Sequence, residues 1–345
     1  MPCRMELPDI VGPLLRWYAD SARVLPWRLS SPDPYRTLVS EIMLQQTRVE
    51  TVKPYYERFI AALPDIRALS EAREEQLLKL WEGLGYYSRV RNLQKAARAV
   101  LTDFNGKIPA LPEQLRKLPG IGEYTAGAIA SIAFGLPEPA VDGNVLRVCS
   151  RLADSRQNVD DPVCRESVRQ ALRTIYPPDR CSEFTQALMD LGAMICLPGM
   201  PRCGDCPLKE LCRAFHAGTA HELPVRKPKA ARRIETRTVF LLHSPSGRIA
   251  LSKRPERGIL AGLWEYPSVV GKLTRKEAAG WLAGQDLEAD HLEKGRSRKH
   301  VFTHVEWHMT VWKAGCRTEN PVFNWVSKQE LETVCALPSA FKGIC

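Results

Sequence analysis

Between Leu118 and Asp142 the chain reads Leu-Pro-Gly-Ile-Gly-Glu-Tyr-Thr-Ala-Gly-Ala-Ile-Ala-Ser, then a proline-broken loop, then Pro-Ala-Val-Asp-Gly-Asn. No other stretch restricts the fold as strongly. Pro119, Gly120 and Gly122 specify a tight turn, in which glycines take φ > 0 at little cost. Ala126, Gly127, Ala128, Ile129, Ala130 and Ile132 form a small apolar run that ends at Gly135, so a helix follows the turn. The turn then points bare backbone N–H groups outward at a helix N-terminus, which makes a phosphate site. A carboxylate, Asp142, comes soon after, behind apolar Ala140 and Val141. Phosphate held by backbone beside an acid points to chemistry on a nucleic acid. Plain helix–helix packing explains such a turn equally well when it stands alone, so its neighbours decide.

A chain of 345 residues is long enough for two or three domains. Its 44% hydrophobic and 26% charged residues fit a globular protein and argue against disorder. No apolar run approaches the length of a membrane span, and Asp9, Arg16 and Asp20 interrupt any signal-peptide pattern. The net charge of +10 suggests an anionic partner, but it is unevenly spread. Residues 1–215 carry 28 Lys+Arg against 26 Asp+Glu, and 216–237 carry 6 against 2. The first part therefore cannot hold DNA by bulk charge and must use placed groups. Eleven cysteines without an export pattern indicate a reducing compartment, where clustered cysteines bind metal.

Leu7, Ile10, Leu14, Leu15 and Tyr18 predict a short amphipathic helix within 1–20. The Arg23–Arg28 loop, Arg-Val-Leu-Pro-Trp-Arg, offers what a pocket for a flipped base needs, although a packed Trp explains it as well. A long helix from Pro34 carries Glu41 as the only charge between Arg36 and Arg48. Desolvation there would raise its pKa; an ordinary surface glutamate is the alternative. Gly83 and Gly85 put Tyr86 and Tyr87 at a bend, Tyr87 being read as core. Two helices span 163–195. Cys196, Cys203, Cys206 and Cys212 then follow in a C-x6-C-x2-C-x5-C pattern, suited to zinc or to an iron–sulfur cluster. Cys3, Cys149, Cys164, Cys181, Cys316, Cys335 and Cys345 are read as unligated. Residues 216–237 form a basic linker around Pro224 and Pro228, with Arg226, Lys227, Lys229, Arg232 and Arg233. Strand patterns take over beyond it: a hairpin about Ser244–Gly247, an alternating run 301–311, and helices near 274–284 and 327–335.

Leu-Pro-Trp-Arg, Ser-Glu-Ile-Met-Leu-Gln-Gln-Thr, Gly-Leu-Gly-Tyr-Tyr, Leu-Pro-Gly-Ile-Gly-Glu-Tyr-Thr, Val-Asp-Gly-Asn and the four cysteines together resemble the A/G-specific adenine DNA glycosylases, the MutY family within the endonuclease III superfamily. The resemblance covers nearly the whole chain. It implies a mostly α helix-hairpin-helix glycosylase with an iron–sulfur cluster loop, plus a C-terminal α+β nudix-like domain. The implied layout is a helical catalytic region at 1–215, with a six-helix barrel about 29–135 and an iron–sulfur subdomain from 1–28 and 136–215. A linker at 216–237 leads to the recognition domain at 238–345. The first helix of the hairpin motif would be Leu111 to Leu118.

The implied activity is release of adenine mispaired with 8-oxoguanine or guanine in duplex DNA, by a monomer. The cysteine loop would hold a [4Fe–4S] cluster. Glu41 would protonate adenine and Asp142 would stabilise the sugar cation or form a transient covalent partner, with Tyr124 and Asn144 shaping the site. Arg23, Leu25, Trp27, Arg28, Gln186 and Met189 would line the adenine pocket. Gln46, Thr47 and Tyr86 would fill the duplex, Gly120 and Gly122 would bind its backbone, and Phe302-Thr303-His304 would read 8-oxoguanine, Thr303 standing where the family has serine. Relatives that cleave the strand carry lysine where this chain has Tyr124, so a monofunctional enzyme is expected. A non-catalytic damage-binding protein and a nudix-type hydrolase are the other classes. Both carboxylates argue against the first, and the lone Glu277 of residues 273–281 against the second. A bacterial cytoplasm is the simplest location.

Overall fold

The computed structural model describes residues 5–228 and 230–344. Cys3, Lys229 and Cys345 lie outside the described residues. Contacts divide the chain into two units, one drawn from Met1–Glu71 and Asn92–Pro228, the other from Ala72–Arg91 and Lys229–Cys345. Among the described residues no helix is long and apolar enough to cross a membrane.

The helices in chain order are α1 (Val11–Ser21), α2 (Pro34–Leu44), α3 (Val49–Ala62), α4 (Ile66–Glu71), α5 (Glu74–Leu80), α6 (Ser88–Asp103), α7 (Pro112–Leu115), α8 (Glu123–Phe134), α9 (Gly143–Leu152), α10 (Pro162–Ile175), α11 (Cys181–Met194) and α12 (Arg213–His216). In the first unit α8 is almost uniformly small and apolar, and Thr125 to Ser131 are all buried against neighbouring helices. The hairpin before it is shorter than the sequence suggests. Its first helix is only Pro112–Leu115, because Pro112 starts it and the chain turns again before Pro119. Gly120 takes φ +79°, and a Cβ there would meet Asn92 Cβ at 2.8 Å, so both backbone and space demand glycine. Gly122 has φ −91° instead, and serves as the N-cap of α8. Gly135 closes that helix in the left-handed region, as expected.

The second unit is a mixed sheet. Its strands are β1 (Arg233–His243), β2 (Ile249–Lys253), β3 (Trp264–Glu265), β4 (Ser268–Val270), β5 (Ala289–Lys294), β6 (Arg298–Val301), β7 (Val305–Cys316) and β8 (Asn324–Val326). Helices α13 (Arg275–Ala283) and α14 (Lys328–Thr333) complete it. The order is β3-β2-β1-β7-β5, with β4 on β1, β6 on β7 and β8 on β2. Strand β1 begins at Arg233, inside the stretch expected as linker, and runs parallel to β7 from Arg233↔Val305 to His243↔Gly315. The period of two splits β1 between two cores. Val239 and Leu241 join Trp307, Met309 and Phe341, while Phe240 and Leu242 join Trp312, Trp325 and Leu282. The alternating run 301–311 is not one strand: Val301 ends β6, and residues 302–304 turn the chain into β7.

Ala72–Arg91, which the sequence places in the helical region, groups with the sheet. Lys79 Nζ donates to Leu331 O and Cys335 O at 3.2 Å each, and Arg91 Nη1 donates to Ala261 O at 2.9 Å.

Candidate active site

Helix α2 begins at the N-cap Asp33, whose side chain accepts from Arg36 N–H at 2.8 Å, with Pro34 at the first helical position. Thr37 through Met43 are all buried, so Glu41 has no solvent-facing side of the helix to occupy. Burial pushes its carboxyl up to about 7. The neighbouring Asp142 charge adds to this, and the Tyr124 hydrogen bond and Arg28 oppose it. Tyr124, in the first turn of α8, donates its Oη to Glu41 Oε2 at 2.7 Å. The surface-glutamate alternative is thereby removed.

Asp142 is the N-cap of α9. Its Oδ1 accepts from Val145 N–H at 2.7 Å and its Oδ2 from Asn144 Nδ2 at 3.1 Å. Burial raises its carboxyl, while the Val145 and Asn144 donors pull it down. The helix N-terminus favours negative charge at this position. Helix α11 approaches closely here: a Cβ at Gly192 would meet Asn144 Cβ at 2.7 Å. Arg147, one turn along α9, donates to Asn144 Oδ1 at 2.9 Å, Gly192 O at 2.8 Å and Cys196 O at 2.7 Å.

One cavity is lined by Arg23, Leu25, Trp27, Arg28, Glu41, Gln186 and Met189, with Ser40, Leu44 and Ile132 among its other walls. Every residue assigned to the adenine pocket from the sequence thus meets Glu41 on one surface. Asp142, Tyr124 and Asn144 stand beside it and do not line it. Sequence reasoning missed Asp190. Its carboxylate, wholly buried, accepts two bonds from Arg28 (Nη1–Oδ2 2.7 Å, Nη2–Oδ1 2.8 Å) and two from Arg23, from Nε at 2.8 Å and from the backbone N–H at 3.2 Å. Burial pushes this carboxyl up, but the two arginines outweigh it and hold it below the usual range. Much of the Arg28 fork therefore serves Asp190, which fixes the arginine at the pocket wall. An Asp inside the apolar Ala187–Met194 run was the available signal. Asp190→Ala would leave two guanidinium groups with a buried partner missing. We expect it to lower the unfolding free energy by about 3 kcal/mol, measured as a fall in the urea midpoint.

Gln46 is exposed in the turn between α2 and α3, with Thr47 half-buried beside it. Gln46 (φ +59°) and Tyr86 (φ +47°) are two of the six non-glycine residues with left-handed backbone among the described residues. Such strain gathers at functional positions. Tyr87 is buried, as expected. Within the second unit Tyr86 Oη and Thr303 Oγ1 share a 2.9 Å hydrogen bond, a pairing that the sequence did not suggest. Thr303 and His304 are exposed and Phe302 is half-buried.

Cys196, Cys203, Cys206 and Cys212 line one cavity, with Ile195, Pro201, Phe215 and Ala220 as apolar walls. Arg151, buried, donates to Cys196 Sγ at 3.2 Å and to Leu197 O at 2.8 Å. The Arg151 donor suits a thiolate at Cys196, and the four sulfurs share one apolar-walled pocket. Among the described residues no three His, Cys, Asp or Glu side chains converge as ligands of a single ion. Cys149, Cys164, Cys181, Cys316 and Cys335 are buried elsewhere. Glu277 closes a capping box with Thr274, accepting from its N–H at 2.7 Å and its hydroxyl at 2.8 Å.

The sequence model of the HhH-GPD superfamily base excision DNA repair proteins matches residues 39–177, and that of the NUDIX domain matches 238–345. The human adenine DNA glycosylase is 35% identical, over 98% of this chain and 74% of its own length. The adenine DNA glycosylase of Buchnera aphidicola (strain Bp) is 35% identical, over 87% of this chain and 84% of its own. Among solved structures, a thermostable thymine-DNA glycosylase is similar with a TM-score of 0.56 and 29% identity, over 60% of this chain and 95% of that one. Endonuclease III in a non-covalent DNA complex is similar with a TM-score of 0.51 and 29% identity, over 59% and 92%.

Proposed function

The chain belongs to the adenine DNA glycosylase family, and from that membership we propose that it hydrolyses the N-glycosidic bond of adenine opposite 8-oxoguanine or guanine in duplex DNA. The observation that carries the reading is Glu41: a buried carboxyl titrating at about 7, bonded to Tyr124, on the wall of a cavity that also holds Trp27, Arg28 and Gln186. A general acid works best when its pKa lies near the operating pH. Protonated Glu41 gives its proton to adenine N7, and the base leaves with the electron pair of the C1′–N9 bond. The sugar is left as an oxocarbenium ion, which wants a carboxylate nearby, as in glycosidases. Asp142 supplies it, placed at a helix N-terminus and oriented by Asn144. Water then completes the hydrolysis at C1′.

Gln46, Thr47 and Tyr86 occupy the duplex after adenine is flipped out, and Gly120 and Gly122 bring backbone N–H groups to phosphate. Phe302, Thr303 and His304 read the base opposite. The four cysteines would hold a [4Fe–4S] cluster, which would cross-link residues 196–212 when bound. Arg151 and Arg147 tie that loop to α9, and so to Asp142.

Single-turnover incubation with adenine opposite 8-oxoguanine, beside an adenine:thymine control, tests the reading. Strand breaks are expected only after hot alkali and only in the lesion duplex. Tight binding without release would overturn the enzymatic assignment. Tyr124 has no amine with which to form a Schiff base. Borohydride trapping should therefore give little cross-linked product, and strong cross-linking would sink the monofunctional reading.

A further inference from the structure

The turn Phe302–His304 is shaped from outside itself. Thr303 and His304 form the two-residue tip of the β6–β7 hairpin, closed by Phe302 N–H donating to Val305 O at 2.8 Å. Two-residue tips ordinarily depend on Gly, Asn or Asp, which accept left-handed backbone. Neither Thr303 nor His304 is of that kind, and neither takes a positive φ. The neighbours supply what turn chemistry does not. Arg232, the residue before β1, donates its Nε to Phe302 O at 3.1 Å. The next residue, Arg233, donates its N–H to His304 O at 3.1 Å. The Phe302 ring meets His300 and Trp307 edge-on, with centroids 4.6 and 4.8 Å away. Trp307 is itself buried. The Arg237 and Arg254 guanidinium carbons lie 4.4 and 5.3 Å from its ring centroid, and Glu235 and Glu265 hold those arginines in place.

We infer that Arg232 is a positioning residue for base discrimination: its guanidinium pins the Phe302 carbonyl while Trp307 pins the ring, and together they set where Thr303 and His304 meet the base opposite adenine. This gives the basic end of the linker a role distinct from bulk charge. The inference rests on the reading of residues 302–304 given above.

The test measures single-turnover adenine release opposite 8-oxoguanine and opposite guanine in the full chain, for the parent, Arg232→Ala, Arg232→Lys and His304→Ala. Loss of one positioning hydrogen bond should lower the 8-oxoguanine-over-guanine preference about three- to tenfold in Arg232→Ala. Arg232→Lys, which keeps a donor, should restore most of it. An equal fall on both substrates, with a shallower salt dependence of binding, would make Arg232 a phosphate contact and overturn the inference. Preference lost in His304→Ala but kept in Arg232→Ala would overturn it while leaving the loop reading intact. Preference kept in both would remove the loop reading, and the inference with it.

Discussion

Glu41→Gln should all but abolish adenine release. Removing a general acid costs on the order of 10²–10⁴ in rate, and glutamine keeps the volume and can still accept the Tyr124 bond. Duplex binding should survive, so a gel-shift on the lesion duplex beside the cleavage assay separates chemistry from folding. In the parent enzyme the acid must be protonated. Release should therefore fall about tenfold per pH unit above pH 7, following the carboxyl that titrates at about 7, and should fall again in acid once Asp142 takes a proton.

Stability should move the opposite way for the mutant. The Glu41 carboxyl is raised from its ordinary 4.5 to about 7 in the fold. Its contribution is fully present below about 4.5 and is lost as pH rises through 7, where a buried group ionises. The difference corresponds to about 3 kcal/mol at full ionisation. Glu41→Gln should thus unfold at higher urea than the parent at pH 8 and match it at pH 4. A glutamine variant that released adenine at the parent rate would remove Glu41 from the mechanism.

Asp142→Asn is the second large effect. Asparagine is as good an N-cap as aspartate, so the bond from Val145 N–H can persist and α9 should keep its start. What disappears is the carboxyl proposed above to face the sugar cation. Loss of one preorganised electrostatic group costs on the order of 10²–10³ in rate. We expect that loss in single-turnover release with a nearly unchanged melting temperature. A melting temperature that collapsed along with the rate would mean that Asp142 serves mainly to build the helix.

The parts of this protein that were legible in its sequence are those whose meaning is local. The glycine turn and the apolar run of α8 could be read directly, as could the alternation of β7 from Val305 onward. The residues assigned to an adenine pocket came from motifs, and one cavity gathers Arg23, Trp27, Arg28, Glu41 and Gln186. Burial of Glu41 was not decidable from position, because Leu38 and Leu44 say which neighbours it has and not what covers the helix. Asp190 was invisible because its meaning lies 162 residues away in Arg28. The Tyr86–Thr303 bond spans 217 residues and leaves no periodicity. The break of the 301–311 run was hidden for another reason: Thr303-His304 lacks the residues that usually announce a turn.

The allegiance of Ala72–Arg91 to the sheet bears on modularity. Cutting the chain anywhere between 216 and 232 does not separate two independent parts, because the second unit reaches far back along the chain to include α5. A sheet fragment made alone would lack the Lys79 donor that holds the Leu331 and Cys335 carbonyls, and the Arg91 donor on Ala261. Grafting the sheet unit of one relative onto the helical region of another should accordingly work best when residues 72–91 travel with it. The unit of exchange here is defined by contacts and not by the linker.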